Sequence, residues 1–320
     1  MQYCRFSQLC YVFKINKRGY SMRYILRLVI FSTMILAIGF PVTHPAQASQ
    51  KKILIGILPE MNVFKQKQRF KLLGEHLSKK SGLQVEFTIL SRYGNIIERF
   101  SAEKMDGAFF GSFTGALAIK KLGVEPLVRP VNLDGTSTYH GYLFVRKDSR
   151  ISKIGDMKNK RMAFVDKATT AGYLFPLAYL KANGITDTDH FFRETLFTGS
   201  HDAAINAVLD RQADVGAAKH SIYDRVRALD PRVDREMIIL AESPSIPSNG
   251  LLVRSGLPET IKNKLKSMLL GLHDDPDGKI VLMQFGALKF IETTARDYQS
   301  VFEMAKKSGI DIMSYDYNNR

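Results

Sequence analysis

Phe164-Val165-Asp166-Lys167-Ala168-Thr169-Thr170-Ala171-Gly172 carries the pattern that decides the fold. The apolar run 162–165 stops at an acidic residue, a hydroxyl-rich turn follows, and residues 174–180 have the apolar spacing of a helix. A strand, a short polar turn and a helix make the unit from which parallel sheets are built. Ligands of such sheets bind beyond the carboxyl ends of the strands. Pro176 cannot donate to the carbonyl of residue 172, so a short first turn is expected at Thr170, with the regular helix restarting near Pro176. Gly172 is expected to let a ligand approach the backbone closely.

The same design occurs twice more. Phe109-Phe110-Gly111-Ser112-Phe113-Thr114-Gly115 and Phe197-Thr198-Gly199-Ser200-His201-Asp202 both run from a strand end through small and hydroxyl residues into a helix. The unpaired N–H groups and positive dipole end of a helix N-terminus suit phosphate-like anions. Ser112, Thr169 or Ser200 alone reads as an ordinary N-cap. Three in succession at strand ends bring a shared anion site level with that reading. His201 adds a donor, neutral or protonated, although a lone histidine is more often structural. Tyr93 and Phe110 are candidate cleft walls that would exclude water, although aromatic residues usually belong to the core, and Tyr93, just before a helix, is the better placed. One helix N-terminus contributes about 0.3–1 kcal/mol to a nearby anion, and a hydrogen bond to a charged group about 1.5–3 kcal/mol. A micromolar site needs only about −8 kcal/mol, so converging donors suffice without a lysine clamp or a metal.

Signatures of catalysis are sparse. Gly111-Ser112-Phe113-Thr114-Gly115 places serine second, whereas a nucleophile elbow has it third. No phosphate-loop lysine motif occurs, and no pair of histidines has zinc-binding spacing on a helix. Asp274-Asp275-Pro276-Asp277-Gly278 lacks the remaining ligands of a calcium loop and reads as a solvated turn between helices. The expectation is binding without chemistry, with no metal and no cofactor.

Outward from these turns, strand and helix patterns alternate. Residues 53–58, 85–90, 108–110, 195–197 and 215–218 read as strands. Phe70, Leu73 and Leu77 mark a helical stripe ended by Ser81-Gly82, and Ile96, Ile97 and Phe100, then 203–209, mark further helices. Such alternation predicts an α/β fold of parallel sheets with helices on both faces. The halves also echo each other: a helix, a polar turn, an aspartate and a small-residue strand occur at Met105-Asp106-Gly107-Ala108 and at Ala213-Asp214-Val215-Gly216. Two lobes follow, 49–138 with 248–320 and 139–247. Tyr139 and Ser248 lie at a two-strand hinge around a cleft, and the helices predicted over 258–271 and 294–309 pack on the first lobe.

Residues 22–48 read as a secretory leader: Met22-Arg23-Tyr24-Ile25-Leu26-Arg27 is positive, 28–40 is apolar, and Ala46-Gln47-Ala48 has small residues at −3 and −1. The apolar run of 13 residues falls short of the ~20 needed to cross a bilayer. Met22 is the better-placed start, and cleavage near Ala48 is expected. Cys4 and Cys10 both precede Met22, so the mature part has no disulfide, no thiol nucleophile and no lipid-acceptor cysteine. Removing residues 1–48 takes away six positive charges and no negative one, lowering the net charge from +15 to +9. The remaining basic and acidic residues are interspersed, which favours a general anion preference over nucleic acid.

Three stretches then resemble the phosphate/phosphite/phosphonate family of periplasmic binding proteins that serve ABC importers: D-K-A-T-T-A-G-Y-L-F-P (166–176), G-S-H-D-A-A-I-N-A-V (199–208) and D-G-A-F-F-G-S-F-T-G-A (106–116). The resemblance covers residues 52–309 in the same order and spacing. It implies a type II periplasmic binding-protein fold, with two Rossmann-like lobes joined by a two-strand hinge. Thr169, Thr170 and the backbone N–H of Ala171 would cradle the phosphoryl group, and His201 would be a direct donor. Tyr93 and Phe110, with Ser112 beside them, would supply first-lobe contacts. The family cradle usually reads serine-threonine-serine, and Ala171 lacks the third hydroxyl. Specificity positions matching the carboxylates of amine-binding members are Ser221 and Asn249, both uncharged, which implies phosphate, phosphite or a simple alkylphosphonate. The resemblance further implies a monomeric periplasmic receptor for a small oxyanion, acting with an inner-membrane ABC permease or, alternatively, a membrane sensor kinase.

Overall fold

The computed structural model describes residues 51–317. The expected leader, Met22, the cleavage point after Ala48 and both cysteines lie outside the described residues. In chain order the strands are β1 (Lys52–Ile57), β2 (Gln84–Ile89), β3 (Gly107–Phe110), β4 (Glu125–Asn132), β5 (Thr138–Tyr139), β6 (Gly141–Arg146) and β7 (Arg161–Phe164). They continue as β8 (Glu194–Phe197), β9 (Val215–Lys219), β10 (Met237–Glu242), β11 (Ile246–Pro247), β12 (Gly250–Val253) and β13 (Ala287–Glu292). Two sheets form, ordered β13-β4-β12-β3-β1-β2 and β10-β6-β9-β7-β8.

Each sheet has a parallel centre, β2-β1-β3 in one and β8-β7-β9 in the other. Around these centres, where the alternation led to parallel sheets, antiparallel strands make both sheets mixed. β12 runs antiparallel to β3 and β4, and β6 runs antiparallel to β9. The physical reason is the crossing itself: a strand that enters a lobe from the other lobe arrives against the local strand direction. The crossings are β5 and β11, an antiparallel two-stranded ribbon that pairs Tyr139 with Ile246 and Thr138 with Pro247. Ser248 sits just beyond it, its N–H donating to Ser137 O and its Oγ accepting from Asn132 Nδ2.

The helices follow from local chemistry. Asn62 caps the helix Val63–Ser81, its side-chain oxygen accepting from Phe64 N at 3.0 Å, and Gly82 ends the helix with φ +67°, a left-handed conformation that costs glycine little. Phe70, Leu73 and Leu77 form its buried stripe. Asp275 caps the helix Pro276–Phe285 and accepts from Lys80 Nζ at 2.9 Å, so the acidic run 274–277 is an interhelical turn. Of the last two expected helices, Glu259–Leu270 packs against β4 and β13 of the first lobe. Gln299–Lys307 does not stay with that lobe. It contacts both Ser112–Leu122 and Phe175–Ala182, and the segment after it ties the lobes further. Tyr315 Oη donates to Lys167 O at 3.0 Å, Lys121 Nζ donates to Tyr315 O, and Tyr317 Oη donates to Glu98. One continuous apolar cluster accordingly runs from Phe110 and Phe113 through Val301 and Met304 to Leu174 and Phe175.

The echo between the halves has a physical basis. Asp106 accepts from the backbone N–H of Leu54, in the neighbouring strand β1, and from Arg254 at 2.9 and 3.0 Å. Asp214 does the same with the backbone N–H of Arg161, in β7, and with the Arg161 guanidinium. In both lobes the aspartate before the third parallel strand fastens that strand to the central one. Replacing either by alanine is therefore expected to destabilise the protein by about 1.5–3 kcal/mol, the range for hydrogen bonds to a charged group. Urea denaturation of Asp106→Ala and Asp214→Ala checks this, and unequal losses would end the equivalence.

Candidate functional site

The three turns singled out in the sequence converge on one cavity between the sheets. It is lined by Glu60, Tyr93, Gly111, Ser112, Phe113, Tyr139, Ala168, Thr169, Thr170, His201, Lys219 and Asn249. The helix starts face it as expected: Ser112–Leu122 begins after Gly111, and His201–Leu209 begins after Ser200, whose Oγ accepts from Ala203 N. Gly199 takes φ +80° at the bend into the second helix. At the central turn, Thr170–Leu174 is a single π-helical turn, and the α-helix Phe175–Ala182 starts with proline in its first turn. The missing N–H of Pro176 thus separates the two segments where the sequence placed the break.

Gly172 has a different role from the one expected. A Cβ there would lie 2.4 Å from Val165 Cγ2 and 2.9 Å from Thr169 Oγ1. Its smallness lets the turn fold back onto its own strand, with Val165 N donating to Gly172 O, and access for a ligand does not enter. Ala171 is buried against Gly141. Phe110 is fully buried and packs on Phe100, with ring centroids 5.6 Å apart, and lines no described cavity. β3 has both faces covered, so this aromatic residue belongs to the core. Ser221 is half-buried in the first turn of the helix His220–Leu229 and lines none of them either.

The hydroxyls differ in what they have left to give. Thr169 Oγ1 donates to Asp166 O at 2.7 Å, and Ser112 Oγ donates to Pro247 O at 2.6 Å. With the only serine hydrogen thus engaged, Tyr139 Oη donates to Ser112 Oγ at 2.9 Å. The hydroxyls of Tyr93 and Thr170, by contrast, are buried and have no hydrogen-bond partner among the described residues. Thr170 lies close enough to Tyr139 to offset part of that phenol's upward shift, without hydrogen-bond geometry. Burial dominates and pushes Tyr139 to about 12. Burial likewise raises the Tyr93 phenol well above its usual range, with Glu60 adding to the effect. Both tyrosines are neutral donors.

His201 is buried, its Nδ1 accepting from the backbone N–H of Lys219 at 3.2 Å. That bond assigns the proton of the neutral ring to Nε2. Burial pulls its pKa down from 6.5 to about 4, against a smaller upward pull from Glu60. Tyr93 packs edge-on against the ring, centroids 6.0 Å apart.

Two charged residues in the wall were not anticipated. Glu60, just past β1, is buried, and its Oε1 accepts from Lys219 Nζ at 3.0 Å and Asn249 Nδ2 at 2.8 Å. Its Oε2 accepts from Arg69 at 3.0 Å. Burial alone would raise this carboxyl, but Lys219 and Arg69 outweigh it and hold the pKa at about 2. Lys219, the last residue of β9, also lies over the Tyr139 ring at 4.5 Å. Asn249 is thereby tied to Glu60. The sequence offered one signal for both, a place between a strand end and a helix, and nothing that singled either out.

The family described as the periplasmic substrate-binding protein of phosphonate ABC transporters matches residues 55–298. This chain belongs to that family. Among its relatives, the phosphonates-binding periplasmic protein of Escherichia coli (strain K12) is 27% identical over 250 residues, 77% of this chain and 73% of the relative. A binding-protein component of a phosphonate ABC transporter from Pseudomonas aeruginosa superposes with a TM-score of 0.75 at 25% identity, over 81% of this chain and 87% of that one. PhnD1 from Prochlorococcus marinus (MIT 9301), solved in complex with methylphosphonate, gives a TM-score of 0.71 at 23% identity, over 81% and 98%. The type II binding-protein fold is the fold of this phosphonate-family chain.

The two depressed pKa values have a definite sign for stability. The buried neutral His201 contributes stability that is complete above pH 6.5 and is lost as pH falls towards 4. The Glu60 carboxylate contributes stability present above pH 4.5 and lost as pH falls towards 2. Acid unfolding should therefore begin below about pH 6.5 and steepen below 4.5. Carbon and nitrogen NMR of the His201 ring is expected to show the Nε2–H tautomer at neutral pH, titrating near 4. A midpoint near 6.5 would contradict the buried placement.

Proposed function

We propose that this protein is a monomeric periplasmic receptor that captures phosphate, phosphite or a simple alkylphosphonate and presents it to an inner-membrane ABC permease. On this reading the leader is removed near Ala48. The first lobe is 49–138 with 248–320, the second is 139–247, and closure about the Tyr139 and Ser248 crossings signals occupancy. Neither nucleic acid nor catalysis has a part in it. One observation carries the proposal: the unpartnered buried hydroxyls of Tyr93 and Thr170 line the same cavity as two helix N-termini and His201. A buried donor without a partner is costly, and an oxyanion has acceptors enough for all of them. The family match, and the methylphosphonate bound by the Prochlorococcus relative, support the choice of phosphorus.

Titration calorimetry against phosphate, phosphite and methylphosphonate tests the reading; no heat with any of them would overturn it. The side chains make a sharper prediction. Thr170→Val removes a hydroxyl that has no partner among the described residues, so the melting temperature without ligand should hold or rise. Affinity should meanwhile drop by about 1–3 kcal/mol, the range for losing one partner of a buried polar group. Tyr93→Phe is expected to behave alike. Loss of stability together with unchanged affinity would return both residues to a structural role.

A further inference from the structure

The inner wall of the cavity holds more charge than an oxyanion cradle needs. Glu60 comes from the first lobe and Lys219 from the second, and their 3.0 Å contact crosses the cleft. Both side chains are buried, with 6% and 11% of their surface exposed. Asn249 and Arg69 complete a set of three donors on the Glu60 carboxylate. The same Glu60, Lys219 and Asn249 also line a second cavity behind them, alongside Arg69 and Gln66. They are therefore the partition that any substituent pointing inward from the phosphoryl group would meet.

We infer that Lys219, held in place by Glu60, is a specificity-determining residue that makes this receptor reject ligands with an ammonium group on their organic arm. The inference rests on the reading of the cavity as a phosphorus-oxyanion site. Its basis is the charge of the partition. Lys219 and Arg69 against Glu60 leave one net positive charge in a buried setting, and Arg225 adds a further positive charge nearby. Burial and the neighbouring cations disfavour an additional positive group, while a dianionic head group is attracted by the same excess. Glu60, the one carboxylate lining both cavities, already accepts from three donors and is poorly placed to receive a fourth. A buried ion pair adds little net stability because desolvation offsets the attraction, so selection among ligands is the more telling consequence of this one.

Calorimetry with ethylphosphonate and 2-aminoethylphosphonate, which share a chain length, tests the inference. The wild type is expected to prefer ethylphosphonate by roughly 100-fold or more, an order of magnitude set by one buried like-charge encounter. Lys219→Met removes the excess charge and frees one of the two acceptor positions used on Glu60 Oε1, and the preference should shrink at least about tenfold. Glu60→Gln adds to the excess, and the preference should grow. Circular dichroism confirms that each variant is folded. If either variant fails to fold, the wild-type ratio and the remaining variant still decide. Equal affinity for the two ligands in the wild type, or a ratio unmoved by both substitutions, overturns the role of Lys219. Binding of phosphate or phosphite but of neither phosphonate would overturn the inference alone. Failure of the wild type to bind phosphate, phosphite or any phosphonate would instead overturn the oxyanion reading itself.

Discussion

A carboxylate buried between two sheets must be matched by cations, and the arrangement around Glu60 meets that constraint with residues from across the chain. Lys219 is 159 positions away and Asn249 is 189, while Arg69 lies in the helix that follows β1. Desolvation would otherwise drive such a group to its neutral form. Contact between the lobes is what completes the pair of Glu60 and Lys219. It supplies the Lys219 ammonium that keeps Glu60 ionised, and Glu60 in turn fixes Lys219 at the wall of the cavity.

The rest of the site is built around residual hydrogen-bonding capacity. Ser112, Thr169 and Tyr139 direct their hydroxyl hydrogens to groups within the protein and hold the ribbon and turns in register. Tyr93, Thr170 and the Nε2–H of His201 are left facing the cavity. The distinction separates scaffold hydroxyls from donors that can reach a ligand, and it cuts across the three motifs. The second and third motifs each contribute both a residue that shapes the turn and a group with bonding capacity to offer. The first contributes only Ser112, whose hydrogen is engaged, and Tyr93 lies outside all three, which is why a hydroxyl-rich sequence alone does not say which hydroxyl binds.

The two halves apply one local solution twice. Asp106 and Asp214 each fasten a third parallel strand to its central neighbour through a backbone N–H and an arginine. The short echo in the sequence was legible because the contact joins sequence-local turns to an adjacent strand. The C-terminal segment breaks the symmetry, since Tyr315 and Tyr317 reach residues of different lobes. The C-terminal segment is thus a third tie between the lobes beside the β5 and β11 crossings.

Sequence by itself determined the local units. Apolar runs of strand length, the stripe of Phe70, Leu73 and Leu77, the cap at Gly82 and the interruption at Pro176 depend on neighbours within a few residues, so the α/β rhythm and the three turns were legible. Only the tertiary structure decided what depends on distant partners. It put Phe110 in the core because β3 is covered on both faces, gave Gly172 the role of clearing Val165, and made the sheets mixed because crossing strands arrive reversed. It also brought Glu60, Lys219 and Asn249 to one point, where burial changes the charge balance. No local pattern marks such a meeting, because its energy comes from desolvation and pairing that exist only once the lobes are packed.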